Sequence, residues 1–383
     1  MAENPLQGCP ESVTTDLDPG RRILIVPTKN KAYLDNTELV DYYEYRKRFL
    51  DWLLHFGKNP NKAEGYSPHT VFSTGARTAR FDLWRWEQDG EYNIPPRHDQ
   101  ADAYMKKYAY SDLSNVTKAK QEEIIKRYFK WLGFEYDADP WEPEYTFMGS
   151  GEDSPRDFFT KEERQQIRAA ALNLGRIPSY KHMTPEERAK WKPYVAKQLS
   201  KPVEDVSRDD WATVNSWKET TLVWTSLDAG LRPIEVGRAK TSWVDTKNRL
   251  LRIPREESSK NKGNWVVSIT DRTATALANW LEERELHEKY EGSDALWLTT
   301  HANPYGSKSL SRLIKNVCQK ADIPTKDRSV TWYSIRHSVG TYMTSERDLA
   351  AAKAQLRHKS AQTTMKYDQV PVEDRRDALE RMG

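Results

Sequence analysis

Between positions 137 and 155 the chain reads D-A-D-P-W-E-P-E-Y-T-F-M-G-S-G-E-D-S-P, with prolines, glycines and acidic side chains and no apolar period. Such a stretch neither continues a helix nor pairs readily as a strand. It divides the 383 residues into two units, each long enough to close a core of its own. The expected organisation is an arm at 1–32, a helical unit at 33–136, a linker at 137–155 and a larger unit at 156–383.

Residues 1–32 carry Pro5, Pro10, Pro19, Gly20 and Pro27 and show no sustained periodicity, so they read as a disordered or extended arm. Leu39, Tyr43, Leu50, Leu53 and Leu54 then fall on one face of a helix closed by Gly57. A second helix opens at Ser67 with Pro68 in its first turn. Its buried stripe is read as Phe72, Ala76, Ala79, Leu83 and Trp86, with Arg77, Arg80 and Arg85 outside it. Helices over about 99–109 and 115–132 follow, the latter turning Ile125, Tyr128, Phe129 and Leu132 inward and ending at Gly133. The exposed face of this bundle carries Arg77, Arg80, Lys106, Lys107, Lys118, Lys120 and Lys126. Any one such charge is more often a solvated side chain than a contact.

In the second unit Thr160 and Glu163 form a capping box for a helix to about 174, and a basic segment over 176–208 has a short helix of its own. A helix over about 209–228 ends at D228-A-G-L-R-P-I-E-V-G, which presents Arg232 just past the turn at Gly230. Strand-like runs at 241–246, 249–254 and 264–270 make a small antiparallel sheet whose hairpin tip, S258-S-K-N-K-G, is basic. Helices resume at 271–286, 307–321, 331–344 and 347–355, and V372-E-D-R-R-D-A-L-E-R-M closes the chain as an amphipathic piece. The fold class is therefore mainly α with a small antiparallel sheet.

No apolar run approaches a membrane span and no apolar segment follows a basic start, which argues against export. Cys9 and Cys318 are too few for a disulfide framework or a zinc site, so a reducing, cytoplasmic setting is expected, with Cys318 as a buried thiol. The net charge of +3 says little about a polyanionic partner, but between 331 and 367 six Lys or Arg stand against two Asp or Glu.

That local excess surrounds four motifs: G230-L-R-P-I-E235, the hairpin Lys260, Y333-S-I-R-H337 and L356-R-H358, followed nine residues later by Tyr367 in T363-T-M-K-Y367. In order and spacing they resemble the tyrosine recombinase and phage integrase family, strongly over about 155–383. The resemblance extends less closely over 34–135 to the helical domain with which such proteins clamp DNA. It implies a site-specific recombinase in which Tyr367 attacks a backbone phosphate, forming a 3′-phosphotyrosyl bond without ATP, metal or other cofactor. Arg232 and Arg336 would hold the non-bridging oxygens, His358 would donate to the phosphate and help position it, and Lys260 would protonate the leaving 5′-oxygen, with Lys262 as its rival on the same hairpin.

Glu235 and His337 would be supporting residues. Tyr333 stands where the family has histidine, and a phenol is a poor proton acceptor at neutral pH. The expected partner is double-stranded DNA carrying specific sites, touched by Arg77, Arg80, Lys118, Lys120 and Lys262 and bound by a homotetramer, with the tail docking on a neighbouring subunit. A type IB topoisomerase shares the same chemistry, and a DNA-binding homologue that has lost it would share the scaffold.

Overall fold

The computed structural model describes residues 5–13, 22–148, 157–258, 263–365, 367 and 371–382. It resolves into two compact units, Met1–Asp153 and Ser154–Gly383. Among the described residues no helix is long and apolar enough to cross a membrane.

The first unit holds β1 (Ser12–Val13), β2 (Ile23–Leu24), α1 (Thr28–Tyr33), α2 (Asn36–His55), α3 (Pro68–Asp89), α4 (His98–Ala109) and α5 (Asn115–Tyr136). Local signals set the helix starts: Asp35 and Glu38 form a capping box for α2, and Ser67 and Ser114 cap α3 and α5. The expected arm is corrected here. β1 and β2 pair antiparallel, and Val13, Ile23 and Ile25 are buried in the core with Tyr42, Phe49 and Trp86. Two-residue strands are too short to show an alternation, but their apolar side chains still close one side of the bundle. The expected linker also contributes, because Trp141 is buried and donates from Nε1 to Asp102 at 3.1 Å.

Three further expectations are corrected. The buried stripe of α3 is turned, so that Ala76 is exposed and Arg85 is completely buried. Arg85 donates from Nε to Asp82 at 3.2 Å, and the same carboxylate accepts from Tyr42 Oη at 2.8 Å and Tyr128 Oη at 3.1 Å. A paired charge can face the core, and apolar periodicity is blind to it. Lys118 is buried too, giving its ammonium to the Ala109 carbonyl at 3.1 Å, so it caps α4 rather than facing solvent. Helix α5 runs through Gly133 and ends one turn later, where Asp137 takes the left-handed cap.

Removing a partner from the Asp82 network strands a buried guanidinium. Asp82→Ala is expected to cost about 3–5 kcal/mol in chemical denaturation followed by tryptophan fluorescence. A loss below about 1 kcal/mol would mean that water reaches Arg85.

The second unit comprises α6 (Lys161–Ala171), α7 (Pro185–Leu199), α8 (Arg208–Thr213), α9 (Trp217–Ala229), α10 (Pro233–Arg238), β3 (Val244–Asp245), β4 (Leu250–Ile253) and β5 (Trp265–Ser268). It continues with α11 (Asp271–Arg284), α12 (Ser307–Lys320), α13 (Trp332–Glu346), α14 (Leu349–Leu356), α15 (Ala361–Met365) and α16 (Val372–Met382). The helix expected over 209–228 is two helices, because Ser216 caps a fresh start by accepting from the Lys218 amide. Helix α9 is the axis of this unit, packed against α6, α11 and α13, with Leu222, Val223 and Leu227 in a core shared with Leu277, Trp280, Trp297 and the buried Cys318. The sheet runs β3-β4-β5, antiparallel throughout, and Leu251, Ile253 and Val267 face that core. L296-W-L forms no strand beyond an isolated bridge from Leu298 to Pro304.

Candidate active site

Helix α9 ends at Gly230, whose φ of +57° a side chain would strain and whose added Cβ would meet Leu356 at 2.7 Å. That tight end brings the 230–235 turn under α13 and α14. Arg232 caps α10, donating from Nη1 to Glu235 Oε1 at 2.8 Å, while its backbone amide donates to Oε2 at the same distance. The other side of the buried Glu235 carboxylate accepts from Arg357 Nη2 at 2.7 Å. Gln355 donates from Nε2 to the carbonyls of Asp228 and Ser268, at 2.9 and 2.8 Å, and so ties the edge of the hairpin to the same turn.

From α13, Arg336 reaches the turn from above. Its Nη1 donates to the Gly230 carbonyl at 2.6 Å and its Nη2 to the Leu356 carbonyl and to His358 Nε2, the latter at 2.9 Å. These bonds use three of the five N–H groups of a guanidinium. A guanidinium can only donate, so Nε2 of His358 accepts and its proton sits on Nδ1, where it is given to Thr364 Oγ1 at 2.9 Å.

The ring of Tyr367 stacks on His358 with centroids 5.6 Å apart and planes 14° apart, and tilts against His337 at 5.5 Å. Beneath it lies Gly340 in the middle of α13, where a Cβ would meet Tyr367 Cδ1 at 2.6 Å and Leu356 Cδ1 at 2.9 Å. Tyr367 is 5% exposed, resting with Val339 and Leu356.

The electrostatics follow from three guanidinium groups crowded around one carboxylate. Burial alone would raise the pKa of Glu235, but Arg357, Arg232 and Arg336 outweigh it and hold the carboxyl at about 2. Arg336 is pushed down to about 9 by burial and by the positive charges of Arg357 and Arg232. A cluster with more cations than anions in a dry setting is suited to hold a further anion.

The depressed Glu235 pKa predicts a pH window for stability. Its contribution is complete above the ordinary value of 4.5 and is lost as pH falls through about 2, because the unfolded chain takes up the proton first. Glu235→Gln should therefore flatten the acid limb of an unfolding-midpoint profile between those values. An unchanged limb would mean that other carboxylates dominate there.

Of the residues expected at the site, Arg232, Glu235, Arg336, His337, His358 and Tyr367 are brought together by these contacts. Tyr333 stands one helical turn from His337, its ring centroid 6.3 Å away and its side chain 43% exposed. Lys260 and Lys262 lie outside the described residues. Arg77, Arg80 and Lys120 belong to the first unit, where Arg80 and Lys120 are exposed and Arg77 is half-buried. Arg357 was not singled out in the sequence, although a charged residue between Leu356 and His358 was there to be seen. The tail contacts its own chain: Glu373 Oε1 accepts from Tyr342 Oη at 2.9 Å and from the Lys161 amide at 3.2 Å, and Asp374 accepts from Ser345 at 2.8 Å.

Residues 209–373 match the phage integrase family. A tyrosine recombinase, XerS of Streptococcus uberis, is 20% identical over 353 residues, or 90% of each chain. In fold, the chain resembles the XerH site-specific recombinase in a post-cleavage complex with a palindromic difH substrate. That match has a TM-score of 0.56 and 14% identity, and covers 92% of this chain and 89% of that one. The Tn1549 transposon integrase in complex with a circular intermediate DNA matches with a TM-score of 0.51 and 12% identity, covering 88% of this chain and 98% of the other.

Proposed function

We propose that this chain, which matches the phage integrase family over residues 209–373, is a site-specific tyrosine recombinase with Tyr367 as its nucleophile and Arg232 and Arg336 holding the phosphate under attack. The observation that carries this reading is the joining of both arginines to one turn while the phenol stacks on the histidine bound to one of them.

The chemistry is an in-line exchange at phosphorus. Tyr367 Oη gives up its proton to water and bonds to phosphorus as the bond to the 5′-oxygen breaks, and protonation of that oxygen leaves a 3′-phosphotyrosyl link and a free 5′-hydroxyl. Bond energy is kept in the link, so a 5′-hydroxyl from a second strand can reverse the step and complete an exchange. Negative charge on the non-bridging oxygens is met by Arg232 and by the two N–H groups of Arg336 that no described residue engages. Lys260 supplies the proton for the departing 5′-oxygen, a task that suits a mobile ammonium. Tyr333 has a phenol where a base would otherwise stand, so it serves as a hydrogen-bond donor to the phosphate or its water. Glu235 and His337 orient the donors and the phenol.

The DNA partner is bound by basic side chains of the first unit, Arg77, Arg80 and Lys120 among them, with Lys262 on the hairpin. Lys118 is withdrawn from that set by its burial. A homotetramer holds two duplexes for strand exchange.

The decisive experiment is to trap wild-type protein on host or element DNA, recover what is covalently attached and sequence its ends. Ends that converge on one site, with phosphotyrosine at the 3′ side, are expected. Absence of any adduct would leave a DNA-binding homologue, and adducts at random positions would indicate a topoisomerase.

A further inference from the structure

We propose that Arg357 is a positioning residue for DNA cleavage, setting Arg232 through Glu235 and Arg336 through the Gly230 carbonyl; this rests on the function just assigned.

The residue is unusual in two respects at once. It ends α14 at φ 58°, the left-handed conformation that favours glycine, yet it carries a long charged side chain. That side chain has no exposed surface. A position that would be easiest for glycine is thus occupied by a cation withdrawn from water, and its contacts say why.

Arg357 Nη1 donates to the carbonyls of Ala229, at 2.7 Å, and Gln355, at 2.8 Å, and Nη2 donates to the Gly230 carbonyl at 3.1 Å and to Glu235 Oε2 at 2.7 Å. Ala229 and Gly230 form the C-terminal end of α9, where carbonyls lack partners within the helix and the dipole is negative. The cation satisfies both needs. Two of its acceptors are also shared. The Gly230 carbonyl receives Arg336 as well, at 2.6 Å, and the Glu235 carboxylate receives Arg232, at 2.8 Å. Each of these two arginines is therefore one acceptor away from Arg357. Its backbone also leads directly into His358, whose ring meets Arg336.

Losing Arg357 would leave the Glu235 carboxylate held by Arg232 alone, through Nη1 on Oε1 and the backbone amide on Oε2, and let it shift together with the Arg232 guanidinium. The groups facing Glu235 would then be Arg232, from the start of α10, and Arg336, from α13, with His358 and Tyr367 next to Arg336. Burial would press the carboxyl upward against two guanidinium groups in place of three.

The test compares wild type, Arg357→Gly, Arg357→Lys and the double variant Arg357→Gly with Glu235→Gln. Glycine suits the backbone at this position, so circular dichroism and the melting profile should show the single glycine variant folded. On a nicked duplex carrying the recovered ends, Arg357→Gly is expected to form adduct about 10–100-fold more slowly, with partial recovery in Arg357→Lys. Its rate should gain an acid limb at higher pH than any in wild type, because the Glu235 carboxyl loses one of its three cations, and that limb should disappear in the double variant.

A second readout needs no DNA. The side-chain carboxyl carbon of Glu235, followed by 13C NMR and assigned by its loss in Glu235→Gln, should titrate at higher pH in Arg357→Gly than in wild type. Cleavage by Arg357→Gly within about twofold of wild type, or a slower rate at every pH with an unmoved Glu235 resonance, would overturn the proposal. If wild type itself forms no adduct, the assigned function fails, and the resonance alone decides whether Arg357 governs Glu235.

Discussion

Tyr367→Phe is expected to abolish the covalent protein–DNA adduct, a loss on the order of 10⁴-fold or more, while leaving DNA binding intact. The phenol oxygen is the only atom removed, and the ring keeps its seat against His358, Val339 and Leu356. A folding defect is thereby separated from a chemical one. Adduct formation is measured on a nicked duplex that releases the short strand after attack, so that the reaction cannot reverse. Tyr333→Phe is the control, because its ring stands 6.3 Å from His337, which Tyr367 also meets. If Tyr367→Phe still formed the adduct and Tyr333→Phe did not, the nucleophile would have to be reassigned.

The next largest effect is expected from Arg336→Ala. One preorganised donor to a developing phosphorane charge contributes about 10²–10³-fold in rate. Here the same guanidinium also fills three protein acceptors, so its removal takes the donor from the buried Leu356 carbonyl and from His358 Nε2 and leaves the Gly230 carbonyl to Arg357 alone. Stability should fall by about 2–3 kcal/mol in addition, read from the denaturation midpoint of the second unit. Arg336→Lys should recover stability in part but little of the rate, because an ammonium cannot span two carbonyls and a phosphate as a planar fork does. A lysine variant that cleaves like wild type would show that charge alone suffices there.

Much of this site could be read in the sequence because its parts sit at ends of helices, where capping and glycine leave strong local signals. Gly230 after a helix, Arg232 before Pro233 and the run from Leu356 to His358 are all of that kind. What could not be read was where a charge is paired in the interior. Arg85 and Lys118 looked like surface cations because hydropathy assigns every arginine and lysine to water, whereas Asp82 and the Ala109 carbonyl compensate them in the fold. Arg357 was hidden in the same way, within a motif whose middle position carries no requirement of its own. The N-terminal strands escaped for another reason: two residues each offer no period, and only their contact with α2 and α3 makes them part of the core.

Gly340 reverses a common route to thermostability. Replacing a glycine inside a helix by alanine ordinarily gains about 1 kcal/mol through helix propensity. At this position the new methyl group would stand 2.6 Å from the ring of Tyr367. Evolution under heat, or an engineer working from propensity scales, would thus be steered away from this position in α13 and obliged to harden the protein elsewhere, since the vacancy left by a missing methyl is the socket that seats the Tyr367 ring.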